Sequence, residues 1–79
     1  MVIEISKKAV KVISRMDEKT RQKLQMAIYE LPNGDVKLLS GYVRTWRLRV
    51  GNWRILFSYQ NDGTILIEKV APRGQVYKE

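Results

Sequence analysis

Apolar residues recur with two different periods along the 79-residue chain, helical in its first half and alternating in its second. The opening stretch Val2-Ile3-Glu4-Ile5 is short and β-branched, which predicts a strand, and Ser6 stands where it can cap a following helix. Ala9, Val10 and Ile13 give that helix an apolar stripe; Lys7, Lys8, Lys11 and Arg15 occupy the rest and read as a solvated face. Asp17 offers a second N-cap, with Glu18 in the first turn, where negative charge offsets the helix dipole. Capping therefore accounts for this acidic pair without a catalytic role. Leu24, Ala27, Ile28 and Leu31 follow the i, i+3, i+4, i+7 spacing, and Pro32-Asn33-Gly34-Asp35 ends the helix with turn-forming residues. The result is an αα-hairpin after the first strand.

Val36 to Gly41 reads as a connector whose two leucines plug the edge of the core. From Val43 the period becomes two. Trp46, Leu48 and Val50 alternate with Thr45, Arg47 and Arg49; after Gly51-Asn52, Trp53, Ile55, Phe57 and Tyr59 alternate with Arg54, Leu56 and Ser58. Glycine followed by asparagine suits a two-residue type II′ turn, so the two runs form a hairpin. Asn61-Asp62-Gly63 is another turn, and Thr64 to Val70 a further long strand before a short polar tail. The pattern predicts an α+β fold: an N-terminal strand and an αα-hairpin packed on one face of a small antiparallel β-sheet.

A chain this short is expected to form one domain, 1–79, because chains usually divide only beyond roughly 250 residues. Cysteine and histidine are both absent, which removes disulfides, thiol nucleophiles, the usual zinc ligands and imidazole acid/base chemistry. No metal or other cofactor is expected. No apolar run approaches membrane-spanning length and the first residues lack a signal-peptide pattern, so a cytoplasmic protein with no membrane partner is expected.

Charge sharpens the picture. Fifteen Lys and Arg against eight Asp and Glu leave a net charge of +7, which points to a polyanionic partner. The two-residue turn sets Val50 opposite Trp53, Arg49 opposite Arg54 and Arg47 opposite Leu56, so the arginines share one face while both tryptophans fall on the other, toward the helices. Like charges directly opposite cost something like a few tenths to 1 kcal/mol. No acidic residue lies between Gly41 and Gln60 to neutralise Arg44, Arg47, Arg49 and Arg54. An anion filling the cluster would explain it, and arginine's planar fork suits two phosphate oxygens. The competing reading has Glu4, Glu68 or a tail carboxylate fold back onto the arginines. Tyr77, in the tail beside Arg73 and Lys78, could stack on a base, form a hydrogen bond, exchange a proton or merely anchor the chain end.

Three phrases resemble the RelE/ParE family of toxins from bacterial toxin-antitoxin pairs. They are the connector Lys37-Leu38-Leu39-Ser40-Gly41, the run Trp46-Arg47-Leu48-Arg49-Val50-Gly51-Asn52-Trp53-Arg54-Ile55 and the ending Pro72-Arg73-Gly74-Gln75-Val76-Tyr77-Lys78. The resemblance implies the same α+β fold. In its RelE branch it implies metal-independent cleavage of mRNA on the ribosome, in which the ribose 2′-hydroxyl attacks the adjacent phosphorus. Carried over by position, Arg54, Arg73 and Tyr77 would be catalytic, and Arg44, Arg47, Arg49 and Lys78 would bind substrate. RelE-type sites can carry lysines where this chain has Arg47 and Arg49, and arginine does not deprotonate, so the general base is left open with Tyr77 as candidate.

The ParE branch implies instead a DNA gyrase inhibitor that is not an enzyme, and a non-catalytic nucleic-acid-binding module is a third reading. The resemblance further implies a cognate antitoxin whose acidic segment meets the arginine face, and a free toxin that is monomeric and becomes a hetero-oligomer with that antitoxin.

Overall fold

The computed structural model describes residues 2–42 and 44–77. Strand β1 spans Ile3–Ile5, helices α1 and α2 span Lys7–Ser14 and Glu18–Tyr29, and strands β2 to β5 span Val36–Leu38, Trp46–Val50, Trp53–Tyr59 and Ile65–Pro72. The strands form one sheet in the order β1-β5-β4-β3-β2. All neighbours are antiparallel except β1 and β5, which run parallel with Ile3 opposite Ile65. A parallel pair needs a long crossover, and here everything from α1 to β4 lies between the two partners, so the antiparallel expectation holds for the hairpin strands and not for the N-terminal edge.

Both helices begin at the expected caps. The Ser6 hydroxyl accepts from the Ala9 amide at 3.0 Å and donates to the Glu68 carbonyl at 2.9 Å, so one side chain starts α1 and fastens it to β5. The Asp17 carboxylate accepts from the Thr20 amide at 3.2 Å and the Thr20 hydroxyl at 2.6 Å. These bonds hold its pKa below the ordinary aspartate value, the hydroxyl contributing most.

The core lies between the hairpin and the inner face of the sheet. Ala9 and Ile13 from α1, and Leu24 and Ile28 from α2, meet Leu48, Ile55, Phe57, Ile65, Ile67 and Val70. Each fully buried Leu, Ile or Phe contributes about 1.5–3 kcal/mol relative to exposure. Trp46 and Trp53 pack against this cluster, as their alternation predicts. Trp46 also meets Tyr59 edge-on, with ring centroids 6.2 Å apart.

Two expectations about packing fail. Val10 is half exposed, because the buried stripe of α1 runs through Ala9, Val12, Ile13 and Met16 and position 10 lies about 100° off it. The connector begins as strand β2, paired with Val36 opposite Leu48, Lys37 opposite Arg47 and Leu38 opposite Trp46. Val36 therefore packs on the core, whereas Leu38 falls at the free edge of the sheet and is mostly exposed instead of plugging it.

Candidate nucleic-acid interface on the arginine face

The hairpin register is Val50 opposite Trp53, Arg49 opposite Arg54 and Arg47 opposite Leu56, and Gly51 in its turn has a φ of +57°. Arg47, Arg49 and Arg54 consequently project from the face that the helices leave uncovered. Lys37 on β2 lies opposite Arg47, and Lys69 on β5 lies opposite Leu56, so the row crossing the sheet is Lys37, Arg47, Leu56, Lys69.

The face is partly roofed. The Arg73 amide donates to the Asn52 carbonyl at 2.7 Å, and the Tyr42 hydroxyl donates to the Tyr77 carbonyl at 3.3 Å. The chain end is thereby tied both to the hairpin turn and to the loop after β2. Leu56 and Val76 are buried without belonging to the main core cluster.

Each predicted site residue has a distinct environment. Arg49 is half exposed, and its Nε donates to Oδ2 of Asp35. Arg47 is far more enclosed, with 12% of its side chain exposed; its Nη2 lies 3.5 Å from Oδ1 of the same aspartate. Among the described residues, the Arg47 Nε is buried and has no hydrogen-bond partner. Arg54 is buried, and its Nη1 donates to the carbonyls of Gly51 at 2.8 Å and Trp53 at 3.0 Å, clamping the hairpin turn.

Tyr77 is exposed beside a depression of about 470 Å³ lined by Lys37, Leu38, Leu39, Ser40, Arg47, Arg49 and Tyr77. Arg44, at a φ of +53°, and Arg73 are exposed but do not line it. Lys78 lies outside the described residues. The structure thus brings Arg47, Arg49 and Tyr77 together, sets Arg54 apart at the hairpin turn, and leaves Arg44 and Arg73 outside the depression.

Asp35 and Lys37 were missed by sequence reasoning. The carboxylate that folds back comes from the turn after α2, and not from Glu4, Glu68 or the tail. Its delivery is local: Gly34 adopts a φ of +113°, where an added Cβ would lie 3.3 Å from Leu48, and the Arg49 amide then donates to the Asp35 carbonyl at 3.0 Å. A readable signal existed in the alternation Asp35-Val36-Lys37-Leu38, which puts Asp35 and Lys37 on one side of a strand.

One carboxylate cannot neutralise two guanidiniums and a neighbouring ammonium, so the depression keeps net positive charge. Its forked donors can grip a phosphodiester, and its phenol can lie against a sugar or base. A slightly larger groove of about 510 Å³ between α1 and β5 is lined by Val12, Trp53, Val70, Ala71 and Pro72, with Lys8, Lys69 and Gln75 beside them, and holds no guanidinium. Among the described residues, no helix is long and apolar enough to cross a membrane.

A helical hairpin on one face of a five-stranded sheet, with cations gathered on the other, defines a small α+β domain with a cationic open face. Its relatives make the class specific. Residues 3–77 match the family described as the ParE toxin of the type II toxin-antitoxin system parDE, and the chain belongs to this RelE/ParE family of toxins. It is 29% identical over 85 residues to Toxin RelE3 of Methanocaldococcus jannaschii, covering 98% of this chain and 96% of that protein.

Among solved structures it resembles the toxin chains of two archaeal complexes at 27% identity. The RelB-RelE antitoxin-toxin complex from Methanococcus jannaschii superposes with a TM-score of 0.77, covering 94% of each chain. The RelE-RelB complex from Pyrococcus horikoshii gives 0.73, covering 94% of this chain and 96% of the other.

Proposed function

We propose that this toxin is a ribosome-dependent endoribonuclease that cleaves mRNA without a metal. The observation that carries the reading is the depression in which Arg47, Arg49, Lys37 and Tyr77 meet. In the proposed reaction the ribose 2′-oxygen attacks phosphorus in line, the 5′-oxygen departs and a cyclic phosphate forms. The phosphorane carries more negative charge than the diester, so preorganised cations favour it over the ground state. Arg47 and Arg49 hold the scissile phosphate, with Asp35 keeping their forks in place until RNA arrives. Arg54 holds the hairpin turn and adds its buried charge to the field over the site. Arg73, Arg44 and Lys78 meet the flanking strand, and Tyr77 positions the nucleotide by stacking or hydrogen bonding.

The relatives solved as RelB-RelE complexes support a cognate antitoxin as partner. An acidic antitoxin segment would meet the same arginines that RNA needs, so antitoxin and RNA compete. The free toxin is then a monomer in the cytoplasm, where ribosomes are.

Primer extension on mRNA after induced expression tests the reading. Breaks within translated codons that vanish when the antitoxin is co-expressed are expected. A second reading, gyrase inhibition, is favoured by the family description, which is that of ParE. Growth arrest with DNA damage and intact mRNA would establish it in place of the nuclease, and absence of arrest would leave a binding module.

A further inference from the structure

The depression beside Tyr77 contains one ammonium group, that of Lys37, to which the reaction above gives no part. Its charged lining is Lys37, Arg47 and Arg49. A guanidinium keeps its proton at every usable pH, so neither arginine can give one up during a reaction. The chain has no histidine, and the carboxylate at hand, Asp35, is engaged by both arginines. A serine hydroxyl such as that of Ser40 parts with a proton no more readily than the sugar oxygen it would serve, and Tyr77 is assigned above to positioning the nucleotide. An ammonium differs from both: it brings a proton and a positive charge together.

Position supports the same residue. Lys37 is registered opposite Arg47 on the uncovered face, is exposed and lines the depression. Directly opposed residues have Cβ atoms about 4.5–5.5 Å apart. Two arginine forks restrained by Asp35 therefore stand next to a flexible four-carbon stem whose tip can reach an ester oxygen of any phosphate the forks hold.

We infer that Lys37 is the general acid of the cleavage reaction, a role that rests on the nuclease reading above. As the bond from the 2′-oxygen to phosphorus forms and the bond from phosphorus to the 5′-oxygen breaks, the Lys37 ammonium gives its proton to the departing 5′-oxygen. The 2′-hydroxyl releases its proton to solvent, and water reprotonates Lys37, so the cycle consumes no net proton. The ammonium also neutralises charge on the phosphorane before the proton moves.

The test compares the unaltered chain with Lys37→Ala and Lys37→Arg on ribosomes carrying an mRNA with one cleavable linkage. The 5′ bridging atom of that linkage is oxygen in one substrate and sulfur in the other. Both variants should cleave the oxygen substrate about 10²-fold more slowly. On the sulfur substrate they should come within about threefold of the unaltered chain, because a thiolate leaves without being protonated. Lys37→Arg is the sharper variant, since it keeps the charge and, on an exposed position of a short edge strand, should fold.

Full activity of Lys37→Arg on the oxygen substrate would reduce Lys37 to a charge and overturn the assignment. An equal deficit on both substrates would overturn it as well, by making the role one of binding. If the unaltered chain cleaves and both variants match it, the role of Lys37 falls alone. If the unaltered chain cleaves neither substrate, the nuclease reading and the role of Lys37 fall together.

Discussion

The two faces of the β3-β4 hairpin are made of alternate residues in the same strands, yet they obey opposite rules. On the helix side, Leu48, Ile55 and Phe57 are sealed from solvent inside the apolar core cluster. On the other side, Arg49 stands opposite Arg54, Arg54 is buried, and the Arg47 Nε lacks a partner among the described residues. Like-charge pairs and unpartnered buried donors both cost stability. A small domain carries such costs on one surface only when the other supplies the folding free energy, and departures from good packing then mark the surface kept for function.

The largest effect should come from breaking the covered face. Phe57→Ala removes a fully buried ring from the centre of the core and should cost about 3–5 kcal/mol, read as a lower midpoint in urea. Domains of this size are stable by only about 5–15 kcal/mol, so the variant should be marginally folded. A shift no larger than that of a surface substitution would mean that the core does not carry the stability.

Arginine replacements sharpen the contrast, because two of them separate folding from chemistry. Arg73 is exposed and reaches only the flanking strand, so Arg73→Ala should leave the urea midpoint nearly unchanged while slowing mRNA cleavage by about tenfold, the loss of one hydrogen bond to a charged group. Arg54→Ala strips the Gly51 and Trp53 carbonyls of their donor. It should therefore lower stability by about 1–3 kcal/mol as well as slowing cleavage. Equal stability losses in the two variants would erase the distinction between the buried and the exposed guanidinium.

Asp35→Asn tests how far the open face is held in reserve. The substitution leaves fifteen cations against seven carboxylates, a net charge of +8 in place of +7. Stability should fall by about 1 kcal/mol as the ion pairs weaken. Single-stranded RNA should bind more tightly, with the dependence of log affinity on log salt steeper by about 0.7. Weaker binding instead would show that Asp35 serves RNA chiefly by holding Arg47 and Arg49 in place.

Much of the covered face was legible from period alone: the caps at Ser6 and Asp17, the Leu24, Ala27, Ile28, Leu31 stripe and the inward tryptophans all follow from local rules. The hairpin register, and with it the shared face of Arg47, Arg49 and Arg54, followed from the Gly51-Asn52 turn. What escaped depended on distant pairing. The alternation at strand β2 runs over only four residues, Asp35 to Leu38, and the strand's register, which no local pattern gives, decides that Asp35 and Lys37 join the arginines while Leu38 stays at the edge. The parallel match of β1 with β5 joins residues 62 positions apart, such as Ile3 and Ile65, which no local pattern encodes. The burial of Val76 accompanies ties at Asn52 and Tyr42 that also lie beyond any local pattern.

The smallest effect belongs to the helix layer and concerns pH. Asp17 has a lowered pKa because the Thr20 hydroxyl, and then the Thr20 amide, donate to its ionised carboxylate. A group whose folded pKa is depressed contributes stability that is present above its unfolded pKa and lost as pH falls through the folded value. The difference in stability between the unaltered chain and Asp17→Ala should therefore be constant from neutral pH down to the ordinary aspartate value of 3.8 and shrink below it. Asp62, lowered by the Thr64 amide and then its side chain, titrates in the same window. The subtraction removes that contribution, because it is common to both proteins. Cleavage near neutral pH should be the same in both, since Asp17 caps α2 on the helix layer and does not line the depression. A difference that instead grows below pH 3.8 would have the wrong sign for a cap that works through its charge.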